Sequence, residues 1–130
     1  MFSSTVYFDT DMSLKEQLIM FRTLLTSWIG ENYLDHYRSA IDYFSYRPEE
    51  NFLITIEANP TYQQGIYDND NFRCMLSVID MKDKYTYQEN IERIIAVLET
   101  LWSNKIPTCT PGQEDVLPYE GGEKGPIPWP

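Results

Sequence analysis

NFLITIEANPTYQQGIYDNDNFRCMLSVID, residues 51–80, holds the two runs from which the fold can be read. In the first, Phe52, Ile54, Ile56 and Ala58 alternate with Leu53, Thr55 and Glu57. In the second, Phe72, Cys74, Leu76 and Val78 alternate with Arg73, Met75, Ser77 and Ile79. Alternation with period two sends each set to one face of a sheet. The spacing predicts strands at 51–58 and 72–80. The second run is apolar on most of both faces, which predicts a strand inside the sheet rather than at its edge.

The flanking chain supplies elements that need such a surface. Val6 and Phe8 against Thr5 and Tyr7 predict a short strand over Ser4–Asp9. Ser13 followed by Glu16 is a capping box: the hydroxyl accepts from the amide three residues on, and the carboxylate reaches back. Leu14, Leu18, Phe21, Leu25 and Trp28 follow at helical spacing and predict a helix at 14–29, ended by Gly30. Asn32 can cap a second helix whose apolar stripe is Leu34, Tyr37, Ile41 and Phe44, flanked by Tyr33, Tyr43 and Tyr46 and stopped by Pro48. Thr86 and Glu89 form a second capping box. Ile91, Ile94, Ile95, Leu98, Leu101 and Trp102 then predict a helix at 87–103, with Asn104 as a left-handed cap. Ile106–Thr110 can add a short edge strand, although Pro107 weakens it.

The element order is therefore β-α-α-β-β-α, with a last strand where Ile106–Thr110 adds one. That order implies an α+β fold of two layers, a mainly antiparallel sheet with helices on one face. The ferredoxin-like split β-α-β arrangement is the nearest named topology. The length of 130 residues suits one core. A compact domain is expected over 1–106. From Pro107 to Pro130 there are six Pro and four Gly and no surviving periodicity, so 107–130 reads as an acidic tail packed on the domain or extending from it.

Composition excludes several classes of function. Twenty acids against ten bases give a net charge of −10. Phosphate contact needs clustered Lys and Arg, so nucleic acid is not an expected partner, nor is an anionic membrane. No run of apolar residues is long enough to span a bilayer. The two cysteines, Cys74 and Cys109, lack metal-ligand spacing, and with no secretion signal at the start a cytoplasmic location with reduced thiols is expected.

No catalytic constellation is legible, and no enzyme activity is expected. Glu57 sits on a strand among apolar neighbours, where the solvent face accounts for it. Asp9-Thr-Asp11 and Asp68-Asn-Asp70 lack the continuation of a cation loop and suit turn chemistry, so no metal is expected. His36 beside Asp35 or Asp42 has no nucleophile to serve. No Gly-rich phosphate loop follows a strand, so no cofactor is expected; Gly121 and Gly122 lie in the tail.

Surface remains. Acids and aromatics are interleaved in two irregular segments. One is the long 59–71 connection with Tyr62, Tyr67, Asp68 and Asp70; the other is the tail with Glu114, Asp115, Tyr119 and Glu120. Aromatic side chains are favoured interface anchors, and carboxylates select a basic partner. These eight residues are the candidate contact set.

The ending Ile106-Pro-Thr-Cys-Thr, then Glu114-Asp-Val-Leu-Pro-Tyr-Glu-Gly-Gly122, follows an amphipathic helix on a small acidic α+β body. In this the chain resembles the cytosolic immunity proteins of bacterial toxin systems, including contact-dependent growth inhibition. The resemblance implies a stoichiometric inhibitor that covers the active site of a cognate toxin domain, commonly a basic nuclease. Acidic and Tyr side chains would then take the place of the substrate's phosphates and bases. Two alternatives are a small ligand-binding or enzymatic domain with a pocket between sheet and helices, and an acidic decoy that mimics DNA.

Overall fold

The computed structural model describes residues 1–29, 37–38, 43–49, 51–63 and 71–111. Among the described residues, six strands and three helices follow one another: β1 (Phe2–Phe8), α1 (Leu14–Met20), α2 (Arg22–Ile29), β2 (Tyr37–Arg38), β3 (Tyr43–Glu49), β4 (Phe52–Ala58), β5 (Cys74–Asp80), α3 (Tyr87–Ser103) and β6 (Thr108–Cys109). The strands form one sheet in the order β2-β3-β4-β5-β1-β6, and every neighbouring pair is antiparallel. The apolar run at 74–80 lies inside the sheet, between β4 and β1, where its two-sided apolar character is needed.

Register explains which face is covered. Phe8, Val6 and Phe2 stand opposite Cys74, Leu76 and Asp80. Ile56 and Ile54 stand opposite Leu76 and Val78 from the other side, and Phe44 opposite Ile56. All of these apolar side chains are buried in one cluster with Leu14, Leu18, Phe21 and Leu25 of the first helices and Ile91, Ile94, Val97, Leu98 and Leu101 of α3. Both helical segments therefore pack on the same face, giving two layers around one core. Glu57 and Thr55 alternate out of that core and are half-buried on the opposite face, as expected for Glu57.

β5 lies between β1 and β4, and α3 carries the chain across to β6 on the far side of β1. That interleaving is the split β-α-β order. The ferredoxin-like comparison reaches only β4, β5, β1 and β6, because β2 and β3 extend the sheet beyond β4. The 108–110 segment is buried, and Cys109 and Thr108 pair with Tyr7 and Phe8. The edge strand expected at Ile106–Thr110 is thus present as β6.

The second helix is corrected. Where the stripe Leu34, Tyr37, Ile41 and Phe44 predicts a helix, the described residues form β2 and β3, with Tyr37 opposite Phe44. Pro48 does not stop a helix but sits in β3 where the register slips between Tyr46 and Glu49. A proline cannot donate to the ladder, and such a slip is where a strand tolerates one. The predicted helix at 14–29 is present as two segments meeting at Phe21, whose backbone (φ −87°, ψ 4°) leaves the helical basin. The Phe21 ring is buried edge-on to Phe8, at 5.9 Å between centroids.

Both capping boxes form. Ser13 Oγ accepts from Glu16 N at 3.2 Å while Glu16 Oε1 accepts from Ser13 N at 2.9 Å. Thr86 Oγ1 accepts from Glu89 N at 3.1 Å while Glu89 Oε1 accepts from Thr86 N at 3.0 Å. Thr86→Ala is expected to cost about 1 kcal/mol of stability. Urea unfolding checks it, and no change in midpoint would mean that the cap does not hold the start of α3. At the other end of α3 the left-handed residue is Lys105 (φ 58°), not Asn104 (φ −97°). Lys105 N donates to Trp102 O and Ile106 N to Leu101 O, the paired bonds of a Schellman ending.

Candidate functional site

The long connection between β4 and β5 leaves the sheet through a built neck. Asn59 is buried and bonds in three directions. Its Nδ2 donates to Phe72 O at 2.7 Å, and its Oδ1 accepts from Thr61 N at 3.1 Å and from Thr61 Oγ1 at 2.9 Å. One step outward, Asn71 closes a second ring: Gln63 N donates to Asn71 Oδ1 at 2.9 Å, and Asn71 Nδ2 donates to Gln63 O at 2.8 Å. Short polar side chains that bond nearby backbone do this well, because they satisfy amides that a strand ladder no longer reaches. Gln63 and Asn71 are thereby held together beyond the ends of β4 and β5.

Asp9 and Arg73 flank the neck. Asp9 Oδ1 accepts from Arg73 N at 3.2 Å and Arg73 Nε at 2.9 Å, and Asp9 Oδ2 accepts from Arg73 Nη2 at 3.4 Å. The hydrogen bond to Asp9 is the main cause holding the Arg73 guanidinium above its ordinary pKa. The side chains are 35% and 40% exposed, so the pair contributes at most about 1 kcal/mol and chiefly fixes geometry. Asp11 is exposed nearby, and Tyr62, 38% exposed, lies within electrostatic reach of Arg73. Beneath them Cys74 is buried; Gln17 Nε2 donates to its Sγ at 3.5 Å, and burial pushes its thiol pKa up, which suits a packing role.

Of the eight residues expected to make contacts, the structure places Tyr62 at this neck. Tyr67, Asp68, Asp70, Glu114, Asp115, Tyr119 and Glu120 lie outside the described residues, as does His36 with Asp35 and Asp42. The neck was not legible from sequence as a unit. Asn59 and Asn71 are twelve residues apart, and Asp9 and Arg73 are 64 apart. The only local signals were the Asn-Pro step at 59–60 and the Asp-Asn composition before Phe72.

A second feature lies on the helix layer. Trp28 of α2 and Glu89, Glu92 and Arg93 of α3 line an open cleft of about 250 Å³. Trp28 is half-buried and packs against the core. Arg93 is turned back on the protein: its guanidinium lies 3.9 Å from the Tyr85 ring centroid, and its Nη1 donates to Asn90 Oδ1 at 3.1 Å. Asn90 Nδ2 in turn donates to the buried Asp80 carboxylate at 3.0 Å. Sequence reasoning placed Trp28 in a core stripe and Glu89 in a cap, both correctly, and so passed over the cleft they share. Among the described residues, no group of three or more His, Cys, Asp and Glu side chains could hold a metal ion, and no helix is long and apolar enough to cross a membrane. Comparison with protein-family models, with curated proteins and with solved structures finds no match to this chain.

Proposed function

We propose that this chain is a binding module that neutralises a basic protein partner, in the manner of the cytoplasmic immunity proteins of bacterial toxin systems. The partner is a cognate toxin domain, a basic nuclease in the simplest case, and the chain covers its active site without breaking bonds itself. The observation that supports this reading most is the neck. Asn59 holds Phe72 and Asn71 holds Gln63, with exposed Tyr62 and Asp11 beside them, and the sequence between Gln63 and Asn71 carries Tyr67, Asp68 and Asp70. Fixing the ends of a contact loop lowers the entropy lost on binding. The net charge of −10 adds long-range attraction toward a positive surface, which acts mainly on the association rate.

The test is co-expression with the product of the neighbouring reading frame, followed by association kinetics. Asp68→Lys with Asp70→Lys is expected to slow association at least tenfold at low salt, and the wild-type rate is expected to fall steeply as ionic strength rises. Charge reversal at Glu114 and Asp115 should add to that loss. An association rate indifferent to salt and to these changes would overturn the reading.

A further inference from the structure

The cleft between the end of α2 and the first half of α3 has a chemistry of its own. Its volume of about 250 Å³ lies below the roughly 300–1,000 Å³ of pockets that hold small molecules and cofactors, so it suits a single side chain. One wall is the Trp28 indole, fixed by its packing against the core. The best π-face for a cation is that of Trp, and Trp is also the residue most enriched among interface anchors. The rim carries two exposed carboxylates, Glu89 and Glu92.

The balance of charge decides what enters. Arg93, the one cation among the described lining residues, is turned to the Tyr85 face, to Asn90 and through it to Asp80. Glu89 is held in place by Thr86 and stays ionised, since those hydrogen bonds lower its pKa. Among the described residues, Glu92 accepts a hydrogen bond only from the neutral Gln88 amide, at 3.4 Å. The last turn of α2 contains no basic residue, so its negative end adds to the same sign. The positive end of α3 opposes this, but Glu89 sits in that first turn and offsets it.

We propose that this cleft is a socket for an arginine or lysine side chain of a protein partner, with Trp28 stacking on the cation and Glu89 and Glu92 pairing with it. This rests on the reading of the chain as a binder of basic partners and adds a second contact point, on the helix layer rather than at the neck. Two anchors on different elements would fix the orientation of the partner as well as its affinity.

The test is a titration of the full chain with N-acetyl-arginine amide, followed by NMR at the Trp28 indole N–H, whose signal is assigned with Trp28→Phe. The uncharged N-acetyl-norleucine amide serves as control. A saturable shift of the Trp28 signal with the arginine probe alone is expected, weakened about fivefold or more in Glu92→Lys, a change at an exposed position that leaves the fold intact. Shifts spread over all exposed carboxylates without saturation at Trp28, or an equal response to the norleucine probe, would overturn the socket. That result leaves the neck-based reading standing, because the latter is read separately by Asp68→Lys and Asp70→Lys. Conversely, a saturable Trp28 response in a chain that binds no basic protein would support the socket while removing the broader reading.

Discussion

Phe44→Ala is expected to lower the unfolding free energy by about 3–5 kcal/mol, the range for deleting a buried aromatic ring. Phe44 is fully buried in the core cluster, opposite Ile56 on β4 and Tyr37 on β2. Truncation removes its apolar area from the core and leaves a void that the sheet backbone cannot close. Against a typical total of about 5–15 kcal/mol, this is a large part of the stability of the domain. Urea unfolding measures it. A shift in midpoint with an unchanged slope is the expected signature, and a loss below about 1 kcal/mol would show that β3 is not packed as described.

Phe44 also marks where the sequence misleads. Leu34, Tyr37, Ile41 and Phe44 fall at helical spacing, yet Tyr37 and Phe44 are cross-strand partners. A stripe of four apolar residues fits a helix face by position alone. The competing signal was local: Tyr43, Phe44 and Tyr46 crowd aromatics that favour a pleated surface, and here the pairing surface offered by β4 won. Elsewhere, pattern and fold agree because several signals coincide. The 74–80 run is apolar on both faces and central in the sheet, and the residues 13–16 and 86–89 spell capping boxes that form. The candidate site was legible as composition, a long acidic and Tyr-bearing connection, but not as geometry. The partners that build its neck are brought together by strand register, which no local window contains.

Asp80→Asn is expected to cost about 3 kcal/mol at neutral pH. Asp80 is fully buried at the end of β5, between Phe2 and Phe52 in register. Its carboxylate accepts from Lys84 N at 2.9 Å, Tyr85 N at 3.0 Å and Asn90 Nδ2 at 3.0 Å. Those bonds shape the turn into α3 and tie it to the sheet. An asparagine presents at least one donor where donors already point, and each buried donor left without its acceptor costs about 1–3 kcal/mol.

The same carboxylate makes the effect depend on pH. Burial pushes its pKa up, but the bonds from Asn90, Tyr85 and Lys84 and the nearby Arg93 charge outweigh this and hold it below the ordinary value. A group whose folded pKa is depressed stabilises fully above its unfolded pKa, about 3.9, and loses that contribution as pH falls through the folded value. The gap between wild type and Asp80→Asn should therefore be largest near neutrality and shrink below about pH 4. Urea midpoints measured for both proteins across that range decide it, and a gap constant with pH would show that the charged form is not what the turn requires.

The place of β1 between β5 and β6 carries a consequence for synthesis. Its seven residues are made well before those of its main partner, β5, with Phe2 opposite Asp80 and Phe8 opposite Cys74. At about 5–20 residues per second, several seconds of translation separate the two strands. Throughout that interval Phe2, Val6 and Phe8 lack the β5 partner strand that covers them in the finished sheet, so this edge of the core cannot close until β5 is made.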